Sequence, residues 1–122
     1  MQIMIDKKDL SRVAIIINDG WQIETLQDAL DLMATVKYEG EAYKAVLFQD
    51  QFPPEFFDLR TGFAGEILQK FTNYQFQIAI VGDFSQYESK SLKDFIYESN
   101  QGHQVYFAPD LITALAAMHK LP

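Results

Sequence analysis

The chain contains no cysteine among its 122 residues. This absence excludes disulfide bridges, a thiolate nucleophile and a zinc site with sulfur ligands. It also fits a reducing compartment, so we expect a cytoplasmic protein. Long apolar runs are missing too: no segment approaches the ~18 apolar residues that a membrane-spanning helix needs. The N-terminus has no basic stretch followed by an apolar run. We therefore expect neither a membrane partner nor a secretion signal.

Basic residues are scarce, because 10 lysines and arginines stand against 17 aspartates and glutamates, for a net charge of −7. Nucleic-acid-binding proteins usually carry a basic face that displaces phosphate counterions. Lys7 and Lys8 are the only adjacent basic pair, so we expect no nucleic-acid partner. The two histidines, His103 and His119, lack a metal-ligating companion at helical spacing. We expect both at the surface, with no metal site and no cofactor.

What the sequence does contain is a regular alternation of strand and helix patterns. Five short apolar runs have the character of strands: Met1 to Ile5, Arg12 to Asn18, Ala45 to Phe48, Phe76 to Val81 and Val105 to Phe107. After the second run, and after each later one, apolar residues recur at helical spacing. Strands alternating with helices favour parallel pairing, and an opening hairpin adds an antiparallel strand. We expect one α/β domain over residues 1–122, with a mixed sheet of about five strands and about four helices.

Short polar residues mark the predicted ends of the helices. Thr25 is a predicted N-cap of the first helix, and Thr61 or Asp58 of the second. Ser91 is predicted to begin the third helix. Gly102 lies where a left-handed residue is expected after that helix.

The segment from Phe52 to Phe71 (FPPEFFDLRTGFAGEILQKF) sets aromatic residues in a loop that has no strand alternation. Such residues need cover from the core or from a partner. We expect two or three of the phenylalanines at 52, 56, 57 and 63 in the core, and one exposed. Phe63 is the candidate for an apolar anchor in a partner-binding surface.

Within that segment, Phe57 to Leu68 (FDLRTGFAGEIL) resembles the Asp-Ser-Ser-Gly segment of STAS domains of the anti-sigma-factor antagonist type. Asp58 matches the aspartate of that motif, Thr61 its phosphoacceptor serine and Gly62 its glycine. Three residues separate aspartate and glycine here, where the family has two. The resemblance implies a STAS-like architecture and a regulatory role, with Thr61 as a possible phosphoacceptor. Read from the residues alone, Thr61 is more simply an ordinary helix N-cap.

The whole chain also resembles the bacterial domain-of-unknown-function family 4180. Four segments carry this resemblance: DALDLMA (28–34), PPEFFDLRTGFAGEILQKF (53–71), GDFS (82–85) and KSLKDFIYESN (90–100). They are spread over nearly the whole chain. This family implies no activity.

Catalytic motifs are absent from the sequence. There is no G-x-S-x-G elbow, and Gly62-Phe63-Ala64-Gly65 lacks the pattern of a phosphate-binding loop. We expect no enzyme, but a non-catalytic intracellular domain, monomeric or homodimeric, that regulates a protein partner of unknown identity. Its predicted binding residues are Asp58, Arg60, Thr61, Gly62 and Phe63. The alternative is a domain that binds a small molecule or anion near Asp50 and Asp83, at the carboxyl ends of two strands.

Overall fold

The strands lie in the sheet in the same order as in the chain. The computed structural model describes residues 1–122. β1 pairs antiparallel with β2, and β2, β3, β4 and β5 pair in parallel. The predicted mixed α/β sheet is therefore confirmed. The elements are β1 (Ile3–Lys8), β2 (Ser11–Ile16), α1 (Leu26–Gly40), β3 (Lys44–Phe48), α2 (Phe63–Asn73), β4 (Gln77–Val81), α3 (Lys90–Ser99), β5 (Val105–Ala108) and α4 (Leu111–Lys120).

The helices divide unequally between the two faces of the sheet. Alternate residues of β3 show this: Ala45 and Leu47 belong to a core of 23 residues shared with α1, α2 and α3. Val46 belongs to a separate core of 6 residues that includes Ala114 and Met118 of α4. Crossovers of one hand that advance across a sheet place their helices on one side. The first three helices therefore share a face, and α4 covers the other. No helix of the structure is both long and apolar enough to cross a membrane.

The ends of α1 follow the sequence closely. Thr25 accepts a hydrogen bond from the amide of Asp28, and the Asp28 carboxylate accepts one from the amide of Thr25. This reciprocal capping box begins the helix as predicted. At the other end, a Cβ on Gly40 would lie 2.5 Å from Cδ1 of Ile5, so any larger residue here would require the Ile5 side chain to move.

Two predicted end signals are wrong. The N-cap of α3 is Ser89, whose hydroxyl accepts the amide of Leu92, and the helix starts before Ser91. Gly102 does not adopt a positive φ. The chain leaves α3 through Asn100 instead, whose side-chain amide donates to the carbonyl of Phe107 and accepts its N–H. This side chain occupies backbone groups on the outer edge of β5, which has no strand beyond it.

Candidate functional site

The chain between β3 and α2 folds as three consecutive 3₁₀ turns: Gln49–Gln51, Pro54–Phe57 and Leu59–Thr61. Phe52, Phe56 and Phe57 are buried below it, with exposed fractions of 4%, 1% and 6%. Their rings pack together, with 4.3 Å between the centroids of Phe52 and Phe56. Three of the four phenylalanines thus join the core, as expected. Phe63 is half-buried, with its ring edge-on to that of Phe56, so the fourth ring is only partly exposed; its role as an apolar anchor stays a prediction.

Gln51 fixes this segment to the strand ends. The side chain is fully buried; its Nε2 donates to the carbonyls of Ile16 and Ile17, and its Oε1 accepts the amide of Phe48. It therefore satisfies backbone groups where β2 and β3 end. The role of Gln51 was not predicted from the sequence, because a glutamine among polar neighbours is usually exposed.

Asp58 and Arg60 form an ion pair on the surface of this segment. The carboxylate accepts bonds from Nε and Nη2 of Arg60, both at 3.0 Å, and from the Arg60 amide at 3.2 Å. The Arg60 hydrogen bond lowers the pKa of Asp58, and the same bond raises the pKa of Arg60. The Arg60 side chain is 91% exposed. A charged guanidinium is thus held in one orientation at the surface.

Thr61 is exposed, but its hydroxyl is fully engaged. Oγ1 lies 2.8 Å from the carbonyls of Glu55 and Asp58, which share its single proton, and accepts a hydrogen bond from the amide of Phe63. The N-cap of α2 by backbone geometry is Gly62, with φ of 77°, so the prediction of Thr61 or Asp58 as its N-cap is wrong. Asp58 caps the preceding 3₁₀ turn instead. Only a residue that tolerates positive φ fits at Gly62. Thr61 still covers the first amide of the helix.

A cleft of ≈ 580 Å³ separates this surface from the start of α3. It is lined by Phe57, Asp58, Leu59, Arg60, Ser89 and Ser91. Both serines are exposed. Their proximity to Arg60 was not predicted, because α2 and β4 separate them from Arg60 in the sequence. The Asp58–Arg60 surface, as we call these six residues, is our candidate binding site.

Asp50 and Asp83, the predicted residues of a ligand site, each bind a neighbouring side chain. Asp50 accepts the side-chain amide of Asn18 at 2.9 Å. Asp83 accepts the hydroxyl of Ser85 at 2.6 Å, which lowers its pKa together with the Ser85 amide. Asp50 lines a shallow cleft of ≈ 350 Å³ at the carboxyl ends of β3 and β4, and Asp83 does not. No group of three or more histidines and carboxylates is placed to hold a metal ion.

His103 is exposed, as expected, but the prediction for His119 is wrong. Its side chain is 5% exposed. Nε2 lies 2.7 Å from the Asp6 carboxylate and Nδ1 lies 2.7 Å from the Ser11 hydroxyl. The ammonium of Lys44 donates to the same hydroxyl at 2.8 Å. Burial of this ammonium lowers the pKa of Lys44.

We call Asp6, Ser11, Lys44 and His119 the Lys44–Asp6 network. Ser11, His119 and Asp6 are hydrogen-bonded in the order of a Ser-His-Asp triad, in which a base activates a hydroxyl. No cleft of the structure is lined by any of the four residues, however. Lys44 also donates to the carbonyls of Met118 and Leu121, so it joins the end of α4 to the sheet. The arrangement is that of a structural connection.

The model of the family described as "Domain of unknown function (DUF4180)" matches residues 8–118, which is most of the chain. The chain belongs to the DUF4180 family. The family resemblance read from four segments is thereby confirmed, and the Asp58–Arg60 surface lies within the matched part of the DUF4180 domain. No curated protein and no solved structure matches the chain, and the likeness to STAS domains stays a prediction.

Proposed function

We propose that this DUF4180 domain is a non-catalytic regulatory module of STAS-like architecture that binds a protein partner in the bacterial cytoplasm. The observation that carries this proposal is the fixed, exposed guanidinium of Arg60 at the rim of the ≈ 580 Å³ cleft. A side chain already held by two hydrogen bonds loses little further conformational entropy when a partner binds it. Arginine is also enriched at the energetic centres of protein interfaces.

The base of this surface is rigid as well. Buried phenylalanines support the 3₁₀ turns, and Gln51 ties them to the strand ends. A recognition surface that does not reorganise on binding avoids part of the entropic cost of association. This support distinguishes the Asp58–Arg60 surface from an ordinary mobile loop.

The segments that carry the family resemblance support the same location. Residues 28–34 lie in α1, and residues 53–71 include two of the three 3₁₀ turns and most of α2. Residues 82–85 follow β4, and residues 90–100 include α3. All four lie on the three-helix face or at the carboxyl edge of the sheet. None lies in α4 or β1. Two of the four segments, 53–71 and 90–100, contribute residues to the Asp58–Arg60 surface.

Thr61 is the proposed regulatory residue of this surface. A phosphate on its oxygen removes the proton that is donated to the carbonyls of Glu55 and Asp58. It also places close to two negative charges beside the Asp58 carboxylate. Phosphorylation would therefore open the turn that orients Arg60 and release the partner.

The direct test is a pull-down from native lysate with the tagged wild-type domain as bait. We expect a partner that is retained by wild type and by the control Lys7→Ala, and lost with Arg60→Ala and with Thr61→Glu. Lys7 is an exposed cation on β1 and is absent from the cleft. The proposal fails if no partner is found, or if binding is insensitive to both changes.

The second candidate function is binding of a small molecule or anion at the shallow cleft beside Asp50. One observation favours it: the cleft lies at the carboxyl ends of adjacent parallel strands, where α/β sheets commonly bind ligands. A thermal-shift screen separates the two functions, because a bound ligand raises apparent stability. A stabilising compound whose effect is lost with Asp50→Ala, but kept with Arg60→Ala, would favour this candidate.

A further inference from the structure

A second groove opens at the amino ends of β3 and β4, between the last turns of α1 and α2. Its volume is ≈ 330 Å³, and all but one of its lining residues are hydrophobic. Met33 and Phe76 are buried and form its base. Tyr38, Tyr43 and Tyr74 surround them, so we call it the tyrosine groove. It shares no residue with the Asp58–Arg60 surface.

The three tyrosines are unusually exposed for aromatic side chains. Their exposed fractions are 79% for Tyr38, 53% for Tyr43 and 59% for Tyr74. Apolar surface left in water costs free energy, and a cluster of it around a concave base is typical of a binding site. Nothing in the fold itself requires these rings to face solvent together.

One ring of the tyrosine groove already accepts a positive charge. The ammonium of Lys37, which is the only charged residue lining the groove, lies 5.8 Å from the ring centroid of Tyr38, in a cation–π contact. α2 ends here, at Asn73, and a helix C-terminus carries partial negative charge. The chain as a whole has a net charge of −7, which favours the approach of cations.

We propose that the tyrosine groove binds a small organic cation, an ammonium group attached to an apolar body. The apolar part lies on Met33 and Phe76, and the charged part lies against the tyrosine ring faces, where it displaces Lys37. Aromatic rings recognise alkylammonium groups in this way, since their faces are electron-rich. This site is additional to the proposed partner surface and does not depend on it.

The experiment compares three probes of similar size that differ in charge: benzyltrimethylammonium, 3-phenylpropan-1-ol and 3-phenylpropionate. Each is titrated into the wild-type domain while NMR follows the tyrosine ring resonances. We expect saturable shifts at Tyr38, Tyr43 and Tyr74, with the cation binding most tightly and the carboxylate most weakly. No saturable binding of the cation, or tighter binding of the carboxylate, would overturn the proposal.

Variants at exposed positions test the site without threatening the fold. Tyr74→Ala should weaken benzyltrimethylammonium about fivefold or more, which is the effect of losing one good ring contact. Tyr97→Ala is the matched control, because this tyrosine is 69% exposed and lies outside the groove; its affinity should match wild type.

Lys37→Gln gives the sharpest result, since it removes the competing cation and should tighten benzyltrimethylammonium binding. Weaker binding of 3-phenylpropionate in the same variant, with no gain for the cation, would show that Lys37 serves an anion and would overturn the proposal. Self-association of the wild type that Tyr74→Ala abolishes would also overturn it, by assigning the groove to a second copy of the chain.

Discussion

The two charged clusters of this domain lie at opposite edges of the sheet and differ in burial. Asp58 and Arg60, at the carboxyl edge, hold each other in a bidentate pair with Arg60 in full contact with water. In the Lys44–Asp6 network, at the amino edge, Lys44 and the side chain of His119 are 8% and 5% exposed. Exposed ion pairs contribute little to stability, whereas a buried polar group is costly once its partner is lost.

The exposed pair is therefore suited to the proposed binding, and the buried network to stability. The exposed pair can replace its contacts with water by contacts with a partner. The network holds α4 against β1, β2 and β3. The carboxyl edge owes its rigidity to the phenylalanines below the pair, not to the pair itself. Changes in each layer should therefore have very different effects.

Loss of the aromatic support should have the largest effect. Phe56 is 1% exposed, and its ring contacts Phe52, Phe57 and Phe63. Phe56→Ala should lower the free energy of unfolding by about 3–5 kcal/mol, through lost burial and the cavity that remains. Urea unfolding followed by circular dichroism measures this. Tyr97→Ala, at an exposed position, should stay within about 0.5 kcal/mol of wild type. A loss for Phe56→Ala that is no larger than this control would show that the loop is not supported from below.

Loss of His119 should come next. His119→Ala leaves the hydroxyl of Ser11 without its ring partner and Asp6 without a donor, in a partly buried setting. We expect a loss of about 1–3 kcal/mol in the free energy of unfolding. Amide hydrogen exchange should become faster in β1 and in the last turn of α4. His103→Ala is the control, since that histidine is exposed. Equal effects of the two changes would contradict a structural role for the network.

The two clusters also show which structural features can be predicted from the sequence and which cannot. The succession of strands and helices, the mixed sheet and the N-cap at Thr25 follow from patterns a few residues long, which local backbone preferences and burial determine. The network depends on a contact between residues 113 positions apart, Asp6 and His119. No local pattern records such a contact. A histidine near the polar end of a helix therefore looks like a surface residue.

The candidate site likewise contains residues that were predicted from the sequence and residues that were not. Asp58, Arg60 and Thr61 were found because their motif is contiguous in the sequence. Ser89 and Ser91 were missed as members of the site, because only the crossover through α2 and β4 brings α3 beside them. The tyrosine groove was missed for a related reason: its aromatic residues come from three separate segments, and each alone resembles an ordinary surface tyrosine.

A smaller effect should appear in the pH dependence of the network. Burial lowers the folded-state pKa of Lys44 from its ordinary value of 10.5, so between the two values the unfolded chain binds more protons. Stability therefore rises with pH across that interval, since the cost of keeping a buried charge is relieved there. The difference in unfolding free energy between wild type and Lys44→Met should shift in favour of wild type as pH approaches 10.5. A shift in the opposite direction would mean that the folded state stabilises the charged form.

Substitution of Arg60 should have the smallest effect on stability, and it tests the comparison of the two charged clusters most directly. Its side chain is 91% exposed, and its partner Asp58 has water as an alternative. Arg60→Ala should leave the urea midpoint unchanged within error, in high and in low salt, while partner capture is lost. A clear drop in the midpoint would place the guanidinium among the structural groups, as in the Lys44–Asp6 network. If the midpoint holds, the guanidinium and its two hydrogen bonds to Asp58 are not needed for folding, and loss of partner capture in the same variant can be attributed to the proposed binding.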